Sequence, residues 1–252
     1  MYSKADTHIH TTASDGMMSP EATVDYIARE TDLRVVAITD HDTADGAFIA
    51  RCYAHRNMLP VEVIIGQEVT TSEGDVVGLF LTSTLPTYET AAEAINAIHA
   101  QGGLAVAVHP FSRWATLNNM KGVGSKIFEL PFDAVEARNG FPANFLSNSL
   151  SSWLNRMVGQ GLPELGGSDS HAPYTAGQAW TGFPGQSAID LRRAIECGSV
   201  RARGPLWTPP NLIRLTRLLI KRRGLHQPEQ TALSPVLAPI SDDNRLIKRR
   251  FD

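Results

Sequence analysis

The sequence is poor in cysteine and has no long hydrophobic run. Its two cysteines, Cys52 and Cys197, are too few for a disulfide framework, so we expect a reducing compartment. No apolar stretch approaches the roughly 18 residues that a membrane span needs. Residues 1–15 contain no apolar segment of the kind found in a secretory signal. These absences exclude a disulfide-rich secreted scaffold and predict a cytoplasmic protein without a membrane partner.

Charged residues make up only 19% of the 252 residues and hydrophobic residues 42%, which excludes a disordered chain or a coiled coil. The net charge of −3 conceals an uneven distribution. Residues 201–252 contain 11 Lys and Arg against 4 Asp and Glu, whereas the rest of the chain contains 12 against 22. The acidic groups therefore lie in the main body, whose Asp, Glu and His side chains are suited to divalent cations.

Short apolar runs alternate with helical patterns as far as residue 200. The runs predict strands at Val35–Ile38, Val61–Ile65, Val76–Leu81, Leu104–Val108, Ala134–Ala137 and Leu162–Leu165. The segments between them predict helices at 20–30, 43–56, 88–101, 144–158 and 187–197, the first with Ser19 as N-cap before Pro20. Because parallel strands need crossover helices, this alternation favours a closed or nearly closed β/α barrel, with a doubly wound open sheet as the alternative.

The sequence changes character after residue 204. We predict one domain over residues 1–204 and a basic C-terminal appendage over residues 205–252. The segment Asn211–Arg223 interleaves leucine and isoleucine with Arg and Lys, which predicts an amphipathic helix that packs on the barrel with its basic face in solvent. No aromatic residue interleaves with these charges, so no stable nucleic-acid partner is predicted. The four tryptophans, Trp114, Trp153, Trp180 and Trp207, are expected in the core or in pocket walls.

Histidines and carboxylates gather at the predicted carboxyl ends of the strands. A single histidine in such a place is more often structural than a metal ligand. Nine such side chains would be costly to bring together without cations, because like charges repel and burial disfavours them. The carboxyl ends of the strands form the active-site face of a β/α barrel, so we predict a metal centre there. The nine residues are His8, His10, Asp15, Asp40, His41, Glu68, His109, Asp169 and His171.

These residues lie in motifs that resemble those of the PHP (polymerase and histidinol phosphatase) family. The motifs are Asp6-Thr-His-Ile-His-Thr-Thr-Ala-Ser-Asp-Gly, Ala37-Ile-Thr-Asp-His-Asp-Thr, Gly66-Gln-Glu-Val-Thr-Thr, His109-Pro110 and Gly167-Ser-Asp-Ser-His. They follow the family's order, and the resemblance covers about residues 1–204. It implies a distorted (β/α)7 barrel of the PHP type, with two or three divalent ions per chain (Mn²⁺, Zn²⁺ or Fe²⁺).

The resemblance also implies how the side chains share these ions. One ion would have four ligands: His8, His10, Glu68 and Asp169. Glu68 would bridge to a second ion, which His109 also binds. A third ion would have three ligands: Asp15, His41 and His171.

Two features depart from the family. Related proteins often have a histidine a few residues after the bridging glutamate, where this sequence has Asp75. We expect Asp75 to be an oxygen ligand or to lie beside one, which would favour a hard ion such as Mn²⁺; the alternative is a carboxylate that faces water. Members that cleave nucleotides also carry an inserted helical subdomain, which is absent between Leu81 and His109. If that insertion grips nucleotides, this protein prefers another phosphate ester.

The resemblance implies metal-dependent hydrolysis of a phosphate ester: a nucleotide, a short RNA or other oligonucleotide, or a small-metabolite phosphate. A metal-activated hydroxide would attack phosphorus, and Asp40 or His171 would orient it or assist proton transfer. Arg113 follows the His-Pro pair and is predicted to bind phosphate.

Another predicted strand ends in Glu136, Arg138 and Asn139. By the period of two, Glu136 and Arg138 share a face, and Asn139 lies where the strand exits. One of the three completes the second metal site or lines the substrate pocket, with Arg138 and Asn139 as candidate substrate contacts.

Two other functions remain open. An amidohydrolase also uses a His-x-His barrel site, but that class typically needs a bridging lysine, and Lys4, Lys121 and Lys126 lie poorly for this role. A non-catalytic interaction domain is the second alternative, since PHP modules sometimes take that role in polymerases. Such a domain would have lost ligands, so the number of ions bound per chain separates it from an enzyme.

Overall fold

The computed structural model describes residues 1–112, 121–158 and 161–204, together with residues 213, 216 and 217. In these ranges a single sheet of nine strands forms the body, in the order β7-β6-β5-β4-β3-β2-β1-β8-β9. The strands are β1 (Tyr2–Ile9), β2 (Val35–Ile38), β3 (Glu62–Val69), β4 (Val76–Leu79), β5 (Leu104–Ala107), β6 (Ala134–Asn139), β7 (Glu164–Gly167), β8 (Trp180–Pro184) and β9 (Arg201–Arg203).

The sheet curls until β1 meets the end of β7. The main-chain N–H of Asp169 donates to the carbonyl of His8 at 2.8 Å, and the N–H of His10 donates to the carbonyl of Ser170 at 3.0 Å. The buried carboxylate of Asp6 accepts hydrogen bonds from the N–H groups of Ser168 and Gly177. The barrel is therefore nearly closed along the carboxyl-terminal half of β1, while β8 pairs with its amino-terminal half.

Strand direction reverses in two places. Strands β1, β2 and β3 are parallel, as are β5, β6 and β7. Strand β4 is antiparallel to both β3 and β5, and β8 is antiparallel to β1 and β9. Because β4 follows β3 through a short turn, no crossover helix is needed there. The reversal places the start of β4 at the edge where β3 and β5 end.

Five α-helices lie in the described ranges: α1 (Pro20–Glu30), α2 (Asp45–Arg56), α3 (Ala91–Ala100), α4 (Phe145–Met157) and α5 (Ala188–Glu196). The side chain of Ser19 caps α1, and capping boxes begin α3 (Thr90 with Glu93) and α5 (Ser187 with Asp190). Such caps satisfy main-chain N–H groups at the first turn and stabilise each helix by about 1 kcal/mol. None of these helices combines the length and apolarity required to cross a bilayer.

Strand β2 shows why its sequence is continuously apolar. Val36 and Ile38 pack outward in the hydrophobic cluster that includes residues of α1 and α2. Val35 and Ala37 point the other way, into a second cluster inside the barrel. A strand covered on both faces has no solvent side that would select polar residues.

The predicted fold class is confirmed, because a mixed α/β sheet forms a nearly closed barrel. The strand count differs from the prediction: the barrel has nine strands rather than seven β/α units. Strands β8 and β9 have no continuous apolar run, since β8 contains a glycine and a proline and β9 contains two arginines. The boundary at residue 204 stays a prediction, because nearly all of the appendage lies outside the described residues.

Candidate metal centre

The strand ends bring the predicted ligands to one edge of the barrel. Each parallel strand that contributes a ligand does so at or just after its carboxyl end. Strand β4 contributes differently, because Asp75 precedes it and the antiparallel direction places that start at the same edge. The side chains brought together in this way are His8, His10, His41, Glu68, Asp75, His109, Asp169 and His171, with Asp15 from the loop after β1.

Glu68 lies at the centre of this cluster, and its side chain is 1% exposed. Its Oε2 atom is 3.0 Å from Nε2 of His8 and 3.1 Å from Nε2 of His10. Its other oxygen, Oε1, is 3.1 Å from Nε2 of His109. The two oxygens therefore face different imidazoles, which is the arrangement that a bridging carboxylate needs.

Five of the nine side chains form what we call the buried side: His8, Glu68, Asp75, His109 and Asp169. Each is at most 3% exposed. The Oδ1 atom of Asp169 is 3.6 Å from Nε2 of His8. The carboxylate of Asp75 lies within 4.8 Å of the ligand atoms of Glu68 and His109, so it faces the cluster and not water. Asp75 is held there by two hydrogen bonds with the main chain of Lys121.

Three further side chains form the rim: Asp15, His41 and His171. Nε2 of His171 is 3.2 Å from Oδ1 of Asp15, and Nε2 of His41 is 3.9 Å from Oδ2 of Asp15. The side chain of Asp15 is 56% exposed, and those of His41 and His171 are 27% and 29% exposed. His10 lies between the two sides, since its Nδ1 is 3.6 Å from Asp15 and its Nε2 faces Glu68.

Glu136 supports the buried side from behind. Its Oε1 is 3.0 Å from Nδ1 of His8, and its Oε2 accepts hydrogen bonds from the N–H of His109 and the amide of Asn139. A carboxylate that accepts from the outer nitrogen of a histidine orients the ring and leaves the inner nitrogen free to bind a metal. Glu136 is therefore placed behind a ligand rather than in open space.

A register shift in β6 corrects the expected facing of Glu136 and Arg138. The ladder with β7 is irregular between these two residues, so the period of two does not hold across them. As a result Glu136 bonds to Asn139, three residues away, at 2.8 Å. Arg138 is partly exposed. Arg113, the other predicted phosphate contact, lies outside the described residues.

Asn139 is 3% exposed and its amide is fully engaged. The Nδ2 group donates to Glu136 at 2.8 Å and to Oδ2 of Asp169 at 3.1 Å. Its Oδ1 accepts from the N–H of Phe141 and from Nδ2 of Asn144. With every donor and acceptor occupied, the side chain is placed to hold carboxylates in position. The contact with substrate predicted from the sequence stays a prediction.

Asp40 is buried beneath the loop that carries Asp15. Its Oδ1 accepts from the N–H of Thr11 at 2.6 Å and from the hydroxyl of Ser14 at 2.7 Å, and its Oδ2 accepts from the hydroxyl of Thr11 at 2.8 Å. Gly46 packs so tightly here that an added Cβ would collide with Oδ2 of Asp40. This carboxylate therefore fixes the rim loop. Three supporting residues do not lie at the end of a predicted strand, so that criterion does not identify them: Thr11, Ser14 and the buried Asp6. The sequence signal for Asp6 is its spacing of two residues from His8.

His171 has a defined tautomer. Its Nδ1 lies 3.0 Å from the main-chain carbonyl of Asp169, and because a carbonyl only accepts, Nδ1 must carry the hydrogen. In the neutral ring the lone pair is then on Nε2, the nitrogen that faces Asp15. His8 differs, because it has a carboxylate beside each ring nitrogen, Glu136 at Nδ1 and Glu68 at Nε2, both at 3.0 Å. Burial alone would lower the pKa of His8, but the surrounding carboxylates outweigh it and hold that pKa well above its usual value.

Two of the predicted ligands have a strained backbone. His109 and Asp169 adopt positive φ angles of 30° and 53°. Non-glycine residues rarely take such angles, and they persist only where the surroundings enforce them. Here the N–H of His109 is held by Glu136 and the N–H of Asp169 by the carbonyl of His8. The strain coincides with the strand exits that turn the side chains inward.

Burial and neighbouring charges shift the pKa values of the cluster. Burial alone would lower the pKa of His10 and of His109, but the carboxylates beside them outweigh it and raise both to about 9. Burial also opposes ionisation of Asp169, yet the imidazoles around it hold its pKa well below the usual range. Burial and the charge of Glu68 raise the pKa of Asp75 to about 7. A cation that binds here must therefore displace protons from imidazoles.

The donor set fits divalent metal ions. Both ring nitrogens of His10 and Nδ1 of His109 are buried without a hydrogen-bond partner, which is costly unless something else uses them. Among the described residues, four groups bring ligand atoms within 4.8 Å of one another. They are His10–Asp15–His41–His171, His8–His10–Glu68, His8–His109–Asp169 and Glu68–Asp75–His109. Imidazoles and carboxylates together suit Mn²⁺, Fe²⁺ or Zn²⁺.

Comparisons with known proteins agree with this geometry. A family model described as PHP-associated matches residues 159–200. An uncharacterised protein of Methanocaldococcus jannaschii is 35% identical over 172 residues, which is 64% of this chain and 94% of that protein. The 5′-3′ exoribonuclease Rnm of Escherichia coli is 42% identical over 85 residues, but these make up only 32% of this chain and 29% of the exoribonuclease.

A solved structure shares the fold. It is a two-domain protein of Bacteroides vulgatus that contains a predicted PHP-like metal-dependent phosphoesterase. The TM-score is 0.66 at 19% identity, and the match covers 86% of this chain and 70% of that one. At this identity the likeness shows a common architecture.

Proposed function

Because this chain belongs to the PHP family, we propose that it is a metal-dependent phosphoesterase that hydrolyses a phosphate ester at the strand ends of its barrel. The proposed substrates are a nucleotide, a short oligonucleotide or a small-metabolite phosphate. The exoribonuclease match includes few of that protein's residues, so RNA is one member of this set and not the default.

One observation carries the proposal: both ring nitrogens of His10 are buried without a hydrogen-bond partner, while its Nε2 lies 3.1 Å from Glu68 and 3.4 Å from Asp169. We assign His8, His10, Glu68 and Asp169 to a first ion. Glu68, Asp75 and His109 are assigned to a second, and Asp15, His41 and His171, with His10 beside them, to a third. Asp75 supplies an oxygen where a histidine is often found, which favours Mn²⁺. Bound ions of this kind neutralise phosphoryl charge and lower the pKa of water.

The protein's own groups hold this chemistry in place. Glu136 orients His8, and Asn139 ties Glu136 to Asp169, so the buried ligands are positioned before any ion arrives. For Asp40 we propose a positioning role through Thr11 and Ser14, because its three hydrogen bonds leave it no path to a reacting atom.

His171 is the remaining candidate for proton transfer. Its Nδ1–H is donated to the carbonyl of Asp169, so only Nε2 is available to bind an ion or to accept a proton. The two roles exclude each other at the same moment of the reaction. Arg138, which is partly exposed, and Arg113 stay proposed as phosphate contacts.

Lysine in the cluster would favour the amidohydrolase alternative. Lys4 instead pairs with Asp32 at 2.6 Å, and Lys126 pairs with Glu73 at 2.7 Å. Lys121 contributes its main chain, not its side chain, to the hydrogen bonds with Asp75. The ion pairs of Lys4 and Lys126 therefore involve none of the predicted ligands.

The test combines metal content with phosphate release. The protein is stripped of metal, reloaded separately with Mn²⁺, Zn²⁺ and Fe²⁺, and its bound ions are counted by mass spectrometry. Phosphate release is then followed on nucleoside monophosphates, nucleoside 3′,5′-bisphosphates, 5′-phosphorylated short RNA, and sugar phosphates. We expect turnover of at least one class that chelation abolishes. Full metal loading without turnover of any ester would contradict the proposal and favour the amidohydrolase or the interaction domain, and reduced loading without turnover would favour the interaction domain.

A further inference from the structure

Helix α4 packs its polar face, and not its apolar face, against the barrel. Its buried stripe is polar, and its exposed stripe is apolar. The buried residues, spaced by four, three and four, are Asn144, Asn148, Ser151 and Asn155. The exposed residues, with the same spacing, are Leu146, Leu150, Trp153 and Met157, which are 77%, 41%, 57% and 69% exposed. We call the second set the apolar stripe; Trp153 was expected in the core or a pocket wall.

Hydrogen bonds fix this orientation. Asn148 accepts from the N–H of Asn139 at 2.9 Å and donates to its carbonyl at 2.8 Å. Asn155 makes the same pair of bonds with Leu162, both at 2.9 Å. If the helix rotated to bury its leucines, four main-chain groups would lose their partners. The apolar stripe is thus held outward by the bonds on the other side of the helix.

Large apolar side chains that are exposed along one face of a helix mark an interaction surface. We propose that the apolar stripe is the docking site of the C-terminal segment 211–220 of the same chain. In that segment Leu212, Leu215 and Leu219 are spaced by three and four, so they share one face of a helix. The three described residues of the segment, Ile213, Thr216 and Arg217, are all exposed. On a helix Ile213 and Arg217 lie away from the leucine face, and Thr216 lies at its edge.

The end of the described body places the segment within reach. Strand β9 lies beside β7 and β6, and α4 packs on β6. Residues 205–210 can span roughly 20 Å when extended, which exceeds the diameter of one helix.

The experiment follows Trp153 in the full chain by ¹⁹F NMR after 5-fluorotryptophan labelling. The Trp153 signal is assigned with Trp153→Phe, and its exposure is measured as broadening by a soluble gadolinium chelate. We expect a shielded signal that loses its shielding in the double variant Leu215→Asp with Leu219→Asp. Each leucine is also changed singly to Asp, and Ile213→Asp is the matched control for these single variants, because it adds the same charge on an exposed side and should leave the shielding unchanged. An unchanged Trp180 signal verifies that the barrel stays folded.

The reciprocal change is made on the helix. Leu150→Asp should speed tryptic cleavage at Arg214 and Lys221 several-fold, because the segment would be released. Three results would overturn the proposal: a Trp153 signal equally broadened with and without the tail substitutions, a cleavage rate that Leu150→Asp does not change, or shielding that disappears on dilution. The last result would identify a second copy of the chain as the occupant.

Discussion

The buried side and the rim of the metal centre are built from the same residue types but are held in different ways. On the buried side, neighbouring groups fix the predicted ligands: Glu136 holds His8, Asn139 holds Asp169, and the main chain of Lys121 holds Asp75. On the rim the side chains mostly hold one another, through contacts of 3.2 to 3.9 Å around an exposed Asp15.

This contrast indicates that the sites differ in affinity. Ligands that neighbours already orient lose little freedom when an ion binds, whereas exposed ligands must be ordered by the ion itself. Water also competes at the rim and is excluded from the buried side. We therefore expect the ions of the buried side to bind more tightly and to leave last under chelation.

Glu68→Gln should have the largest effect because Glu68 is assigned to both the first and the second ion. Substitution keeps the shape but removes the charge that faces His8, His10 and His109. Loss of a residue that supports a metal ligand lowers metal affinity or activity by about 10–100-fold. We expect the loss of a bridging ligand to lower the rate of phosphate release by more than about 100-fold. Bound ions per chain should fall by at least one. Retention of all ions and of activity would show that Glu68 does not bridge.

Glu136→Gln should weaken the buried side alone. The amide no longer offers two acceptor oxygens, so His8 and the N–H of His109 compete with Asn139 for one oxygen. We expect metal affinity to fall by about 10–100-fold for the tightly bound ions, with the rim ion unaffected. Calorimetric titration with metal measures the affinities of the tightly bound ions and of the rim ion. Glu164→Gln, on β7 and paired with Arg156, is the matched control. Equal weakening of every ion would contradict an effect confined to the buried side.

The metal-free protein should lose stability in alkali. The pKa of His10 and of His109 is raised from 6.5 to about 9 in the fold, so their protonated forms stabilise it. This contribution is fully present below 6.5 and is lost as the pH rises through about 9. The free energy of unfolding, measured by urea denaturation, should therefore fall across that window. The metal-loaded protein should lack this decline, since its imidazoles are already deprotonated. A flat metal-free profile would contradict this account.

The clustering of these side chains was predictable because a strand end is a local feature of the sequence. A predicted ligand comes shortly after an apolar run, as His109 does after β5 and Asp169 after β7. Asp75 lies in the same cluster, although the antiparallel direction of β4 that brings it there was not predicted. The apolar runs predict where β3 and β4 lie but not that β4 runs antiparallel to β3. Metal binding by these side chains stays a prediction.

The supporting residues could not be found in the same way, because their roles depend on tertiary structure. A register shift in β6 sets Glu136 and Asn139 on one side, against the period of two. The inverted orientation of α4 is decided by main-chain groups of Asn139 and Leu162 that need partners. Neither the register shift nor the need of these main-chain groups for hydrogen-bond partners changes the periodicity of the sequence. Periodicity predicts which residues share a face but not which face is buried.

Asp15→Asn should have the smallest effect and should be confined to the rim. Asp15 is 56% exposed, so water can replace part of what its charge supplies, and exposed charge pairs contribute on the order of 1 kcal/mol or less. We expect the affinity of one ion to fall by about tenfold or less, with the buried ions unchanged. Asp32→Asn, at an exposed aspartate paired with Lys4, is the matched control. If Asp15→Asn released more ions than Glu136→Gln, the two sides would act as one cooperative site, and the difference between them would lie in exposure and not in affinity.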